Sequence, residues 1–197
     1  MARRFERTRR GVTARLDEDE RALLSELLAE VAELLDDGRP AESDPLEAMV
    51  AISDEAHRPT DPALARLLPD AARDDDAAAA EFRRLTERGL RQRKREALAT
   101  TRATLERPGP LMLDEAQAQA WLTALNDVRL VVAERLQLRT DGDAERLAQL
   151  VDALPPEDPR VWLSSVYDFL TWLQETLVSA LSDRLRHRTQ PGPGAAS

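Results

Sequence analysis

Residues 12–35 read VTARLDEDERALLSELLAEVAELL, and two periodicities meet inside this stretch. Val12, Ala14 and Leu16 alternate, as along a half-buried strand, whereas Leu23, Leu24, Leu27, Leu28, Val31, Leu34 and Leu35 recur every three and four residues, as along one face of a helix. The period changes at Asp17, an N-cap residue with Glu20 at the position that closes a capping box. A strand that hands over directly to a capped amphipathic helix predicts a mainly α protein with a small β element. Upstream, residues 5–16 (FERTRRGVTARL) complete a β-hairpin turning near Arg10-Gly11. Downstream, Asp37-Gly38 is the expected helix stop.

The rest of the chain repeats the helical theme. Asp44-Pro45, Asp61-Pro62 and Asp158-Pro159 each place a capping carboxylate before a proline suited to the first helical position. They predict helices over 45–52, 62–68 and 159–187. The run Asp74-Asp75-Asp76 puts negative charge at the positive end of a long helix reaching residue 105, with Gly89 as its weak point and 107–110 (RPGP) as its stop. Residues 111–113 are a candidate third strand before helices over 115–138 and 144–154. Aligned at an offset of 97, Leu16-Asp17-Glu18 matches Leu113-Asp114-Glu115, and Glu20, Leu24, Leu28 and Val31 match Gln117, Trp121, Leu125 and Val128. This is either an internal repeat or the generic look of a strand followed by a capped helix. The helix over 159–187 is the most apolar and is expected at the centre of the bundle, the alternative being a second face offered to a partner. The expected architecture is one helical-bundle domain over 1–188, with the hairpin at 5–16, the candidate strand at 111–113 and a disordered Gly/Pro-rich tail over 189–197.

Composition narrows the chemistry. The chain has no Cys, which removes disulfides, thiolate nucleophiles, Cys-ligated zinc and redox-sensing pairs. His57 and His187 lie apart without metal-ligand spacing, and Asp141-Gly-Asp143 with Glu145 lacks a calcium-loop pattern, reading instead as a helix start. No phosphate loop and no G-x-S-x-G elbow is present. A non-enzymatic chain without metal or cofactor is expected. No 18-residue apolar run follows from the sequence, and none of signal-peptide length follows the N-terminal arginines, so no membrane association and a cytoplasmic location are expected.

The net charge of −9 argues against a dedicated nucleic-acid binder, but it is unevenly spread. Residues 1–15 hold six Arg against Glu6, residues 16–81 hold 20 acids against five Arg, and residues 82–107 hold nine bases against three acids. Such segregation points to oriented association. Two basic groups are candidates for it. At 100° per residue, Arg84, Arg88, Arg91, Arg95 and Arg102 share a narrow sector of one helix, forming either a solvated face that balances the acidic helices or a grip for phosphates or an acidic protein face. Arg3, Arg4 and Arg7 charge the hairpin, as a partner-binding arm or as protection of an edge strand. Polar residues inside apolar helices form the third candidate. Asn126, Asp127 and Arg129, then Asp168, Gln174 and Glu175, interrupt two apolar runs. Because a buried carboxylate needs a partner, Asp127 or Asp168 is expected either in solvent or in an internal polar clasp with Arg129, a Tyr hydroxyl or an indole such as that of Trp172. Direct DNA binding, homodimerisation and an unrecognised small-molecule or catalytic site at these polar residues remain open alternatives.

Specific strings then carry a resemblance. Residues 3–20 (RRFERTRRGVTARLDEDE), 61–75 (DPALARLLPDAARDD), 81–87 (EFRRLTE), 120–130 (AWLTALNDVRL) and 166–178 (VYDFLTWLQETLV) together resemble the actinobacterial AosR-like regulator family, long catalogued as a domain of unknown function. The resemblance implies a cytoplasmic, non-enzymatic transcription regulator acting through an alternative sigma factor of RNA polymerase on stress and cysteine-synthesis genes. It also implies a cysteine pair that senses oxidation, and here this chain departs from the family, having no cysteine to carry that role.

Overall fold

The computed structural model describes residues 2–36, 61–69 and 76–189. Strands β1 (Arg3–Thr8) and β2 (Gly11–Arg15) form the antiparallel hairpin, and β3 (Leu111–Leu113) adds to the other edge of β2, giving the order β1-β2-β3. The register pairs Val12 with Leu113 and Ala14 with Leu111, so the alternating apolar residues of both strands face the core together. A bulge in β1 between Arg3 and Glu6 lets Phe5 turn inward.

Helix α1 (Glu18–Leu34) starts as the sequence predicts. The Asp17 carboxylate accepts the Glu20 N–H at 3.0 Å, and the Glu20 carboxylate accepts the Asp17 N–H at 2.8 Å. Helix α2 (Pro62–Leu67) begins with the Asp61 carboxylate on the N–H groups of Ala63 and Leu64. Helix α3 (Asp76–Leu105) runs through Gly89 unbroken. Helix α4 (Glu115–Arg135) has the same cap as α1, with Asp114 and Gln117 exchanging bonds of 2.8 and 3.1 Å. The two strand-cap-helix units aligned at an offset of 97 are therefore joined through their own strands, β2 against β3. The expected helix over 45–52, the stop at Asp37-Gly38 and the tail from 190 onward lie outside the described residues.

Several boundaries differ from expectation, among them the ends of α1 at Leu34, ahead of Asp37-Gly38, of α2 at Leu67 rather than 68, and of the helix expected over 144–154 at Val151. Helix α4 ends at Arg135 rather than 138, because Gln137 takes φ +59° and the chain leaves the helix in a Schellman turn. The Leu138 N–H bonds the Ala133 carbonyl at 2.8 Å and the Gln137 N–H bonds the Glu134 carbonyl at 3.0 Å. Leu136 and Leu138 stay buried, which is why helical periodicity seemed to continue. Helix α5 (Asp141–Val151) starts three residues early, because Asp143 acts from inside the helix and bonds back to the N–H groups of Arg139 and Thr140. Helix α6 (Pro159–Thr189) runs two residues further than predicted.

The most apolar helix is not the central one. Helix α4 packs against α1, α2, α3, α6 and the sheet, and it carries the fully buried Trp121, whose ring meets Phe5 edge to face at 5.6 Å. Helix α6 commits one stripe to the core, Val166, Leu170, Leu173, Leu177 and Ala180, and leaves Trp162 and Val178 exposed. The turn after α3 is held by Arg21 of α1. Its guanidinium donates to the carbonyls of Leu105 and Gly109, each at 2.5 Å, and more distantly to Arg107. One side chain thus satisfies the open C-terminal end of α3 and fixes the approach to β3. Among the described residues no helix is long and apolar enough to cross a membrane.

Candidate functional site

The hairpin carries its arginines on a fixed frame. Thr8 and Gly11 pair across the turn, leaving Arg9 and Arg10 as its two-residue loop. The Thr8 hydroxyl accepts the Arg10 N–H at 3.3 Å and donates to the Gly11 carbonyl at 3.1 Å, which pins the loop from inside. Gly11 has φ +143°, and a Cβ there would stand 2.0 Å from the Leu113 carbonyl oxygen. Only glycine lets β2 pass so close to the end of β3. Arg3, Arg4, Arg7, Arg9 and Arg10 are all exposed. Glu6, the one acid of this segment, reaches Arg4 at 3.4 Å. Beneath the tip lies a cavity of about 370 Å³, bounded by Arg7, Arg9, Arg10 and Val12, by Asp114 at the start of α4, and by Leu181 of α6.

The arginine row of α3 is placed differently. Arg91 donates to the Leu35 carbonyl at 3.0 Å and to Glu87 at 2.5 Å, with its side chain mostly covered. Arg95 faces Asp36 at 3.7 Å. Both therefore serve the C-terminal end of α1, where unsatisfied carbonyls and Asp36 gather negative charge. The Nε of Arg102 is buried and has no hydrogen-bond partner among the described residues. Arg88 is exposed, and the side chain of Arg84 lies outside the described residues. The expected row is thus divided. Two of its members bind the chain's own acidic helix, so the row does not stand open as a single grip.

The internal polar clasp has other members than expected. Asp127 is fully buried, but its partner is Lys94 of α3, at 2.5 Å, and not Arg129. Burial pushes the Asp127 carboxyl up from the ordinary carboxylate range, and the Lys94 ammonium pulls it back down. Its second oxygen has no partner among the described residues. Asp168 is exposed, because it points away from the buried stripe of α6. Trp172 is half-buried and stacks on Phe169 at 6.3 Å. The indole that does meet a buried acceptor is that of Trp121, which donates to the Thr104 hydroxyl at 2.7 Å, and Thr104 donates to the Thr101 carbonyl at 2.7 Å. Lys94, Thr101, Thr104 and Trp121 were missed. A signal for them was present: Lys94 is the single lysine of the chain, and residues 94, 98, 101 and 105 recur at core spacing on α3.

Among the described residues no three His, Cys, Asp or Glu side chains converge as metal ligands, and His57 lies outside them. The Asp143 carboxylate is occupied by capping. It accepts the N–H groups of Arg139 and Thr140 and the Thr140 hydroxyl, which hold it well below the ordinary carboxylate range, and it pairs with Arg146.

Comparison with known proteins places these features in a family. The model of the domain of unknown function DUF2017 matches residues 2–181. The oxidative stress regulator AosR of Mycobacterium tuberculosis and that of Mycobacterium bovis are each 36% identical over 201 residues, covering 92% of this chain and 88% of the relative. The putative oxidative stress regulator AosR of Mycobacterium leprae is 35% identical over 176 residues, covering 81% of this chain and 77% of the relative. No solved structure matches. With the family model and the full-length relatives in agreement, the chain belongs to the DUF2017 family.

Proposed function

We propose that this protein is a stress-response regulator that acts by contact with the transcription machinery, through an alternative sigma factor or RNA polymerase itself, and that it does so without sensing oxidation through its own thiols. The observation that carries the proposal is identity of 36% over most of both chains to proteins named oxidative stress regulators. The absence of cysteine from the chain removes the thiol sensor and leaves the scaffold and its charged surfaces as the means of action. Such a protein works in the cytoplasm, where polymerase is. It is a binding module rather than an enzyme, since neither a nucleophile-base pair nor a phosphate cradle is legible in the chain.

Affinity purification from the native host, before and after peroxide, tests this. Enrichment of a sigma factor or polymerase subunits over a charge-matched control supports the proposal, and none in either condition defeats it. The exposed hairpin arginines also favour a second reading, direct DNA binding. That reading requires affinity for duplex DNA to fall steeply with salt, and a flat salt dependence rejects it. The engagement of Arg91 and Arg95 with the end of α1 weakens it by withdrawing two members of the α3 row.

A further inference from the structure

We infer that the tip of the β1–β2 hairpin docks an acidic protein segment, whose carboxylates meet Arg7, Arg9 and Arg10 while an apolar side chain enters the cavity beneath them. This rests on the proposal that the chain acts by protein contact, and it identifies the contact surface and the chemistry of what binds there. The turn itself does not ask for arginine. Neither Arg9 nor Arg10 has a positive φ, and a turn of this kind, with Gly11 at its end, accepts most residues at both positions. Nor does edge protection explain them, since charges that blunt an edge lie along the strand and not on the loop. Among the described residues no carboxylate pairs with Arg7, Arg9 or Arg10, in contrast to Arg4, Arg91 and Arg95.

The tip is also rigid before anything binds. The Thr8 hydroxyl holds the loop on both sides, and the close approach of Gly11 to Leu113 fixes the loop against the start of α4. Three guanidiniums carried on this backbone offer planar forks that match carboxylates. Below them the cavity of about 370 Å³ has a mainly polar lining, Asp114 and Glu115 included, with Val12, Ala180 and Leu181 as its apolar part, and it is large enough for a side chain between two acids. Asp114 on the rim, together with a net charge of −9, repels the continuous phosphates of nucleic acid far more than it repels a short segment whose acids are spaced around an apolar residue.

Two variants of the full chain with equal charge change separate this site from bulk charge. One reverses the tip (Arg7→Glu, Arg9→Glu, Arg10→Glu) and the other reverses the far end of the hairpin (Arg3→Glu, Arg4→Glu, Arg15→Glu). Biolayer interferometry measures each against polymerase core, the host's purified sigma factors and duplex DNA, with thermal melts to confirm folding. The tip variant should lose at least about tenfold in affinity for the protein partner and the far-end variant no more than about threefold. The milder pair Arg9→Asn and Arg10→Asn, which suits the turn, should weaken binding too and guards against a folding failure. Equal losses in both charge reversals, unchanged partner binding by the tip variant, or a tip-dependent affinity for DNA alone would each overturn the inference. Failure of the unmodified protein to bind any protein partner defeats the proposed function itself, and it is read from the wild type before any variant is compared.

Discussion

Lys94→Met should make the stability of this protein strongly dependent on pH. Asp127 has no exposed side-chain surface, Lys94 keeps only 12% of its own, and their single contact is 2.5 Å long. With the second Asp127 oxygen unpartnered among the described residues, one ammonium carries nearly all the compensation for the buried charge. Removing one member of such a pair costs about 3–5 kcal/mol, because the other charge stays buried alone. The sign of the pH effect follows from burial, the largest influence on this carboxyl, which raises it above the ordinary range. Without Lys94 that influence is opposed only by the Asn126 side chain, so the folded variant holds its proton more tightly than the unfolded chain does. Stability added by that proton is present at low pH and is lost as pH rises past the ordinary carboxylate range, by up to about 1.4 kcal/mol per pH unit. Measured from about pH 5.5 upward, the penalty relative to wild type should therefore grow with pH. Urea unfolding followed by circular dichroism measures it, and the lower limit stays above the pI of about 4.9 to avoid precipitation. The double variant Lys94→Met with Asp127→Leu should return to within about 1 kcal/mol of wild type and lose the pH dependence. A penalty that is constant with pH, or a double variant as unstable as the single one, would refute the reasoning.

Three further substitutions test the frame around the hairpin and the core. Arg21→Lys keeps the charge but cannot span the carbonyls of Leu105 and Gly109, and a loss of about 2 kcal/mol is expected in urea unfolding. Gln137→Gly relieves the left-handed backbone at φ +59° and should stabilise by about 0.5–1 kcal/mol, read as a higher melting temperature. Gly11→Ala drives a methyl into the Leu113 carbonyl, so it should cost more than about 2 kcal/mol and raise amide exchange in β2 and β3 above that in α6.

Local chemistry and the third strand beside the hairpin were legible, and the long-range pairing of polar side chains was not. Asp17 with Glu20, and Asp114 with Gln117, were readable because a capping box is written within four residues. The third strand at 111–113 was readable because the two strand-cap-helix units share a pattern. The end of α4 was not, because Leu136 and Leu138 remain buried after Gln137 has left the helix, and periodicity measures burial rather than backbone. The partner of Asp127 was sought two residues away at Arg129 and found 33 residues away at Lys94, on a neighbouring helix whose rotation the sequence does not state. Asp168 and Trp172 sat in an equally apolar run, yet the helix turned them off the buried stripe. Spacing marks such residues as costly to bury without telling which of them is buried.

The two basic segments look alike in charge and are placed oppositely by the fold. Nine bases fall in residues 82–107, next in sequence to a segment with 20 acids. The fold sets Arg91 and Arg95 against the end of α1 and Lys94 against Asp127, so charge that looks available in the sequence is spent within the chain. The six arginines of residues 1–15 face a single acid and remain in solvent on a hairpin held by Thr8 and Gly11. Stability should therefore respond to changes on α3, and partner affinity to changes on the hairpin. A chain without cysteine has no thiol in which to record oxidation. If the proposed function holds, a thiol-independent response to stress comes from how much of the protein is present or from the state of what it binds, so peroxide treatment of the purified protein alone should leave its partner affinity unchanged.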